Sequence, residues 1–450
     1  MTRHQQPQPR YIRDCYGREY RVGETDRELL GGVIGRHWIL WAAWAAMLGA
    51  GTLQYGFALA ALPLHGARGT FAVLAVWTVC QAAAAPALHR FTRSRGRETG
   101  TPVMLGGACC AGAAAIAGTV AQAGRPGVGA ALLVGYGVLG GTGAGLVYAG
   151  CAATAARWYP ERAPSAVAFV TGGYAYGAVL PLLLLAALGG HASAVAPVLG
   201  GVGGLCLLAA LGTGAVLRDP PERWWPAGID PRRWTLDRHL NRSLRHNRPS
   251  LWEAAAAPGP TGGTWRLLYA ATALTSAVLL FDLARLAAGA AVRPGPTALW
   301  ACAAFAAGSG VGRGLVGALA ERFGRAPVLA TALLLGAAAQ PGLTGGGPVA
   351  VACCAALAGC GTGGCYPVLI GLLRGFYGRH GGQRAFALLY TGKAVGGAAG
   401  CALAAFASGP VGGWTALALL LGAAAATRLA RRPQPLPRLL PTAARPAPGS

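Results

Sequence analysis

The chain contains one lysine, Lys393, and it lies in the middle of an apolar stretch, ALLYTGKAVGGAAG. A second cation, Arg313, is set in a comparable run, AAGSGVGRGLVGALA. An ammonium or guanidinium at bilayer depth costs about 2.5–3.5 kcal/mol on insertion scales, so a compensating partner is required. Counting back along each stretch at the helical rise places Arg313 about 9 Å and Lys393 about 12 Å from the same membrane surface, so the two could share one level of a cavity. The chemistry this suits is capture of an anion. At ~4 Å and an effective dielectric near 20, each cation would attract a carboxylate by about 4 kcal/mol before desolvation. Snorkelling to headgroups, or bonding to helix carbonyls, is the alternative for either cation. One acid, Asp282, falls in an apolar stretch, three residues before Arg285. An i,i+3 ion pair near the opposite surface is the expectation, with a proton-coupling carboxylate as the alternative. Gln54, Tyr55, Tyr148, Tyr174, Tyr176, Tyr366 and Tyr390 lie in further apolar stretches. Tyr hydroxyls in hydrocarbon need partners, so these residues either line a cavity or pack between helices.

The elements that position these residues follow from composition. With 54% hydrophobic and 12% charged residues and a mean hydropathy of +0.45, the chain lies outside the range of soluble domains. Twelve stretches reach the roughly 20 residues needed to cross a bilayer: near 38–59, 70–89, 102–123, 129–156, 165–188, 194–217, 265–288, 298–319, 326–344, 348–373, 385–408 and 412–430. The +24 net charge sits between these stretches rather than on one face of a soluble module, which speaks for lipid and against nucleic acid as partner. With the amino terminus inside, Arg68, Arg125 and Arg293 fall outside and most other arginines fall on the cytoplasmic side, as the positive-inside rule requires. No signal peptide is read in the polar, Arg-rich first residues. A plasma (cytoplasmic) membrane protein with both termini in the cytoplasm is expected. The 72 glycines suit close helix packing in lipid, although a GC-rich coding sequence would also raise them. Cysteine pairs such as Cys109-Cys110 lack His partners at ligand spacing, so no metal or other cofactor is expected.

Organisation is read as a cytoplasmic segment 1–37, a six-helix bundle 38–217, a basic cytoplasmic linker 218–264, a second six-helix bundle 265–430 and a tail 431–450. The linker is expected to rest on anionic lipid or to be a solvated loop. An internal repeat supports two halves: Gly141-x-Gly143-x-Gly145-x-x-Tyr148 recurs as Gly359-x-Gly361-x-Gly363-x-x-Tyr366, each in the fourth span of its half. A nucleotide-binding loop would need a strand before it, and none is present. Two similar halves around a midplane site are the usual plan of a secondary transporter.

These residues resemble the major facilitator superfamily. The loop signature Gly317-x-x-x-Glu321-Arg322-x-Gly324-Arg325 is similar to that group's, with Glu where Asp is usual. GTGAGLVYAGCAATAARWYPERAPSAVAFVTGGYAYGA, RDPP at 218–221, GRGLVGALAERFGR and GCGTGGCYPVLIGLLRGFYG continuing to LLYTGKAVGG look like the oxalate:formate antiporter-like branch. The resemblance implies an all-α polytopic membrane protein of twelve transmembrane helices in two six-helix bundles. It also implies a small carboxylate held between Arg313 and Lys393, inside a cage formed by Gln54, Tyr55, Tyr148, Tyr174, Tyr366 and Tyr390. The amino-terminal loop signature departs from the pattern, with His89 for Gly and Arg93 for the acid, and Ser309 stands where Asn is frequent.

The function expected is secondary transport of a small mono- or dicarboxylate by alternating access, as antiport or proton symport, in a protein able to act as a monomer. The alternatives are an exporter of other amphipathic compounds and a non-transporting membrane sensor. A membrane-embedded enzyme would need paired acids or His ligands within spans, and none are found.

Overall fold

The computed structural model describes residues 10–15, 17–62, 67–95, 99–123, 128–247, 262–292, 295–407 and 409–431. Eleven helices are long and apolar enough to cross a membrane: Gly69–Leu88, Gly100–Gln122, Gly129–Trp158, Pro160–Ala187, Ala192–Val216, Gly263–Val292, Pro296–Phe323, Arg325–Gly345, Pro348–Tyr377, Ala385–Phe406 and Pro410–Leu429. They coincide with the second to twelfth expected spans. The first expected span is also helical, but in two pieces, Arg36–Tyr55 and Phe57–Ala61, hinged at Gly56. Prolines in the opening turns of the fifth, eighth, tenth and twelfth spans occupy positions whose N–H has no helical partner. Threonines within the spans, among them Thr52, Thr78, Thr272 and Thr427, donate to the carbonyl four residues earlier. That bond satisfies a hydroxyl where no water is available.

Helix contact in lipid depends on close backbone approach, and the repeated glycines supply it symmetrically. A Cβ on Gly359 would lie 2.2 Å from the Phe305 carbonyl oxygen, and one on Gly363 2.5 Å from that of Ser309, which seats the tenth span on the eighth. In the other half, Gly141 and Gly145 meet the carbonyl oxygens of Trp77 and Gln81 at 2.5 and 2.4 Å, which seats the fourth span on the second. The sequence repeat is thus a packing repeat. The halves meet along two seams, second span against eleventh and fifth against eighth. Gly397 faces Thr78 in the first seam, and Gly310 and Gly317 face Tyr176 and Ala168 in the second.

The amino-terminal segment and the linker carry structure of their own. Arg10–Arg13 and Glu19–Val22 form an antiparallel hairpin, a small β-element that an all-α reading omits. The linker packs against it: Arg21 bridges to Trp224, the Trp224 indole donates to the Glu24 carbonyl at 3.1 Å, and Trp225 meets the Tyr20 ring edge-on. Trp224 and Trp225 are 1% and 4% exposed, so the expectation of a solvated loop is corrected for this part. Tyr20, Trp224 and Trp225, all buried, give it a local core that charge counting alone overlooks. Tail residues 432–450 and linker residues 248–261 lie outside the described residues, as do Arg125 and Arg293 and the side chains of Arg68, His89 and Arg93.

The linker grips both halves. Asp219 accepts from the Thr99 hydroxyl, from the Thr154 hydroxyl at 3.0 Å and from Arg157 at 2.5 Å, tying it to the ends of the third and fourth spans. Farther along, Ser243 donates to Glu321 at 2.7 Å, and Asn247 bonds the Ala320 carbonyl and the Arg325 N–H at 2.9 and 3.1 Å. Glu321 in turn holds Arg325 at 2.9 Å, whose guanidinium also reaches the Gly371 carbonyl at 2.9 Å. Gly324 turns the chain with φ of 102°, a conformation glycine adopts without strain. Arg322 rests over the Phe323 ring at 5.2 Å. Gly317, Glu321, Arg322, Gly324 and Arg325 therefore gather at the linker-side end of the eighth and ninth spans.

Candidate substrate-binding site

Four spans are interrupted next to the residues of interest. The first breaks at Gly56 after Gln54 and Tyr55, the fifth at Gly177 and Ala178 after Tyr174. The tenth breaks at Gly364 before Tyr366, and the eleventh at Tyr390 before Lys393. The fourth span passes through a π-helical stretch, Leu132–Gly140, a form that often occurs at functional sites. Interrupted spans at mid-depth are where transporters commonly place binding groups. The first and fifth spans are held in contact by Gly51, where a Cβ would lie 1.7 Å from the Tyr174 carbonyl oxygen.

Between the two halves these residues form one connected network. Arg313 donates through Nη1 to the Thr171 carbonyl at 2.6 Å and through Nη2 to the Tyr55 hydroxyl at 2.9 Å. Since arginine only donates, Tyr55 is left to donate to Ser309 at 2.8 Å. The guanidinium lies over the rings of Tyr55 and Tyr174 at 5.5 and 5.6 Å. The Tyr174 hydroxyl donates to Gln54 Oε1 at 3.0 Å and accepts from Gln81 Nε2 at 2.6 Å. Lys393 Nζ completes the chain, donating to Gln81 Oε1 at 2.5 Å, Gln54 Oε1 at 3.2 Å and the Tyr390 hydroxyl at 3.4 Å. It also faces the Tyr366 and Tyr390 rings at 5.5 Å. Tyr148 bridges the halves, edge-on to Tyr174 at 5.4 Å and stacked on Tyr390 at 5.5 Å.

Every expected cage residue is in this cluster, and Gln54, Tyr55, Tyr148, Tyr174, Tyr366, Tyr390, Arg313 and Lys393 are each at most 3% exposed. The site is closed to both faces. Among the described residues neither cation is in a salt bridge; their oxygens come from amides, hydroxyls and one backbone carbonyl. Two buried donors in the cluster, Arg313 Nε and the Tyr148 hydroxyl, have no hydrogen-bond partner among the described residues. Tyr176 stands apart, packing on Gly310 in the seam.

Three contributors were not read from the sequence. Gln81 holds Lys393, the Thr171 carbonyl holds Arg313, and Ser276 bonds Tyr366 at 2.8 Å. Gln81 faces Gly145 as Ser309 faces Gly363, so the two are repeat mates. The expected Asp282–Arg285 ion pair is corrected. Asp282 Oδ2 accepts from Gln340 Nε2 at 2.9 Å instead, because the ninth span brings an amide directly against the carboxylate.

Residues 294–448 match the family model described as Major Facilitator Superfamily. Two solved structures share the architecture over nearly their whole length. One is a partially occluded inward-open conformation of the xylose transporter XylE from E. coli, 12% identical, covering 86% of this chain and 95% of that one with a TM-score of 0.62. The other is the Major Facilitator Superfamily transporter FucP in the outward conformation, 14% identical, covering 87% and 98% with a TM-score of 0.55. No curated protein matches the sequence. The chain is a multi-pass membrane protein with the fold of major facilitator transporters, and the central cluster lies between the two halves of that fold.

Proposed function

We propose that the chain is a secondary carrier of a small organic anion, a mono- or dicarboxylate, working by alternating access as an exchanger or proton symporter. The observation that carries this reading is the pairing of two buried cations, Arg313 and Lys393, with neutral partners only among the described residues. Amide and hydroxyl dipoles offset part of the burial penalty, but a bound carboxylate would offset more. The unpartnered donors Arg313 Nε and Tyr148 hydroxyl support the same polarity, since both call for an acceptor. Arg313 binds as a planar fork and Lys393 as a point charge, so a planar carboxylate with a second polar end fits between them. The aromatic faces of Tyr148, Tyr174, Tyr366 and Tyr390 would limit ligand size.

Loading such a ligand lowers the penalty of closing the site, so the occupied carrier rocks more readily than the empty one. Exchange follows if the empty form cannot close, and symport follows if a proton travels with the anion and the empty form returns without a counter-anion. On its arginines the linker face would lie in the cytoplasm, with the plasma (cytoplasmic) membrane as location. The monomer contains the whole network.

The test is uptake of labelled oxalate, formate, lactate, pyruvate and xylose into proteoliposomes, with and without internal unlabelled compound and an imposed pH gradient. Saturable uptake of a carboxylate, abolished in both Lys393→Gln and Arg313→Gln, supports the reading. Xylose uptake that survives both substitutions favours a neutral sugar, which the XylE resemblance brings into consideration, and sinks it.

A further inference from the structure

Away from the central network, the face opposite the linker has a cavity of about 180 Å³ between the ends of the seventh, ninth and twelfth spans. Asp282, Arg285, Gln340 and Thr344 provide its polar lining, with Phe281 and Leu343 among its apolar walls. Asp282 and Gln340 are each 1% exposed. They share one hydrogen bond, Gln340 Nε2 to Asp282 Oδ2. The remaining polar atom of each side chain, Asp282 Oδ1 and Gln340 Oε1, is buried with no partner among the described residues. Two orphan acceptors on already linked groups are a specific deficit, because each buried unsatisfied oxygen costs about 1–3 kcal/mol.

A single proton removes both deficits. We propose that Asp282 and Gln340 form a proton-binding site opening on this face: an O–H bond forms at Asp282 Oδ1 with a proton delivered by hydronium from the aqueous phase on that face, which leaves as water, and that O–H donates to Gln340 Oε1. Carboxylic acid and primary amide then form a reciprocal pair, N–H to carboxyl oxygen and O–H to amide oxygen, and no lone charge stays buried. A hard metal cation fits less well. It would want about six oxygens, whereas among the described residues the cavity offers two unpartnered side-chain oxygens, Asp282 Oδ1 and Gln340 Oε1. Arg285 also lines the cavity and would repel a cation.

Arg285 is the charged group that faces Asp282 there; the ninth span contributes Gln340, Leu343 and Thr344, and the twelfth Gly409 and Gly413, none of them charged. When the proton leaves, the carboxylate has a guanidinium one helical turn away to receive it. The proposed site thus alternates between an acid paired with Gln340 and a carboxylate that would draw the Arg285 guanidinium, one helical turn away, toward it. The seventh span also carries Ser276, which holds Tyr366 of the central cage. Six residues, about 9 Å of helix, separate Ser276 from Asp282, so one helix serves both sites. As a coupling device for transport the proton site rests on the function proposed above; as a proton site it does not.

Infrared spectroscopy of the full-length protein in lipid tests it. The wild type should show a carboxylic acid C=O band at neutral pH that disappears on alkalinisation. Asp282→Asn, whose amide can still pair with Gln340, should fold and lack the band. Gln340→Leu should keep the band but shift it to higher frequency, because the acid loses its amide partner. A spectrum in which Asp282→Asn retains the band, or in which Na⁺ at constant pH removes it, overturns the proton assignment. In proteoliposomes, stimulation of anion uptake by a pH gradient should be lost in Asp282→Asn; uptake indifferent to the gradient in the wild type overturns the coupling role. Absence of flux for every anion, with the band present, counts against the transport reading and leaves the proton site standing.

Discussion

Lys393 keeps its place in the bundle through two amide oxygens, and the one at 2.5 Å belongs to Gln81. A hydrogen bond to a charged group is worth about 1.5–3 kcal/mol, so Gln81→Leu should leave the ammonium less constrained and weaken substrate binding. Because every 1.4 kcal/mol is a factor of ten, KM for the transported anion is expected to rise about tenfold or more, read from concentration-dependent uptake. At this scale the sequence was informative where a residue type was out of place. A lone lysine, an arginine and a run of tyrosines in apolar surroundings each violate the composition of a lipid-facing helix. Gln81 did not stand out in the same way, since a single amide in an apolar span is cheap to carry. Its role emerges only when its carbonyl neighbour Gly145 is matched to Gly363 through the repeat. Asp282 was visible as an intruder, but its partner was not: i,i+3 spacing pointed to Arg285, whereas Gln340 is brought in by a different helix.

Helices were legible to within five residues at their ends, because length and apolarity decide a span with little help from tertiary contacts. Their interruptions at Gly56, Gly177, Gly364 and Tyr390 were not. A glycine-rich chain offers many places to break, and packing selects among them. Gly363 illustrates the packing side: with the Ser309 carbonyl oxygen 2.5 Å from where a Cβ would stand, Gly363→Ala should destabilise the protein by about 1–3 kcal/mol, seen as a lower unfolding temperature in detergent. The linker was misjudged in part, as a charge-rich segment whose Trp side chains turned out to be buried. Asp219, with a carboxylate serving two threonines and Arg157, is the element's anchor, and Asp219→Asn should cost about 2 kcal/mol of stability. The hairpin has a pH limit of its own. Hydrogen bonding and charge attraction from Arg13, with Arg223 adding to it, hold the Glu19 carboxyl below the usual carboxylate range. A depressed carboxyl stabilises the fold above its unfolded value of about 4.3 and loses that contribution as pH falls through the folded value. The hydrogen-exchange protection of residues 10–22, taken relative to the intrinsic exchange rate at each pH, should therefore fall in acid below about pH 4 and hold in mild alkali.

For the whole molecule, closure depends on two seams in which small residues let the halves touch. Gly317, whose Cβ would come 2.6 Å from that of Ala168, lies near the linker face of the fifth–eighth seam. Gly317→Trp should wedge that face open, so that substrate binding by calorimetry persists while uptake into vesicles is lost; normal uptake would mean the seam does not move. The two-half plan was readable from the repeat. The relative placement of the halves was not, since it rests on contacts such as Tyr148 with Tyr390 that join residues far apart in the chain.

The lone lysine has a practical meaning as well. With every other basic side chain an arginine or histidine, the protein is by nature a single-site target for amine acylation of its side chains. That target is 3% exposed in the closed state. A membrane-permeant acylating reagent would therefore record, as one mass increment on one peptide, how often the interior opens, and a ligand occupying it would slow the clock.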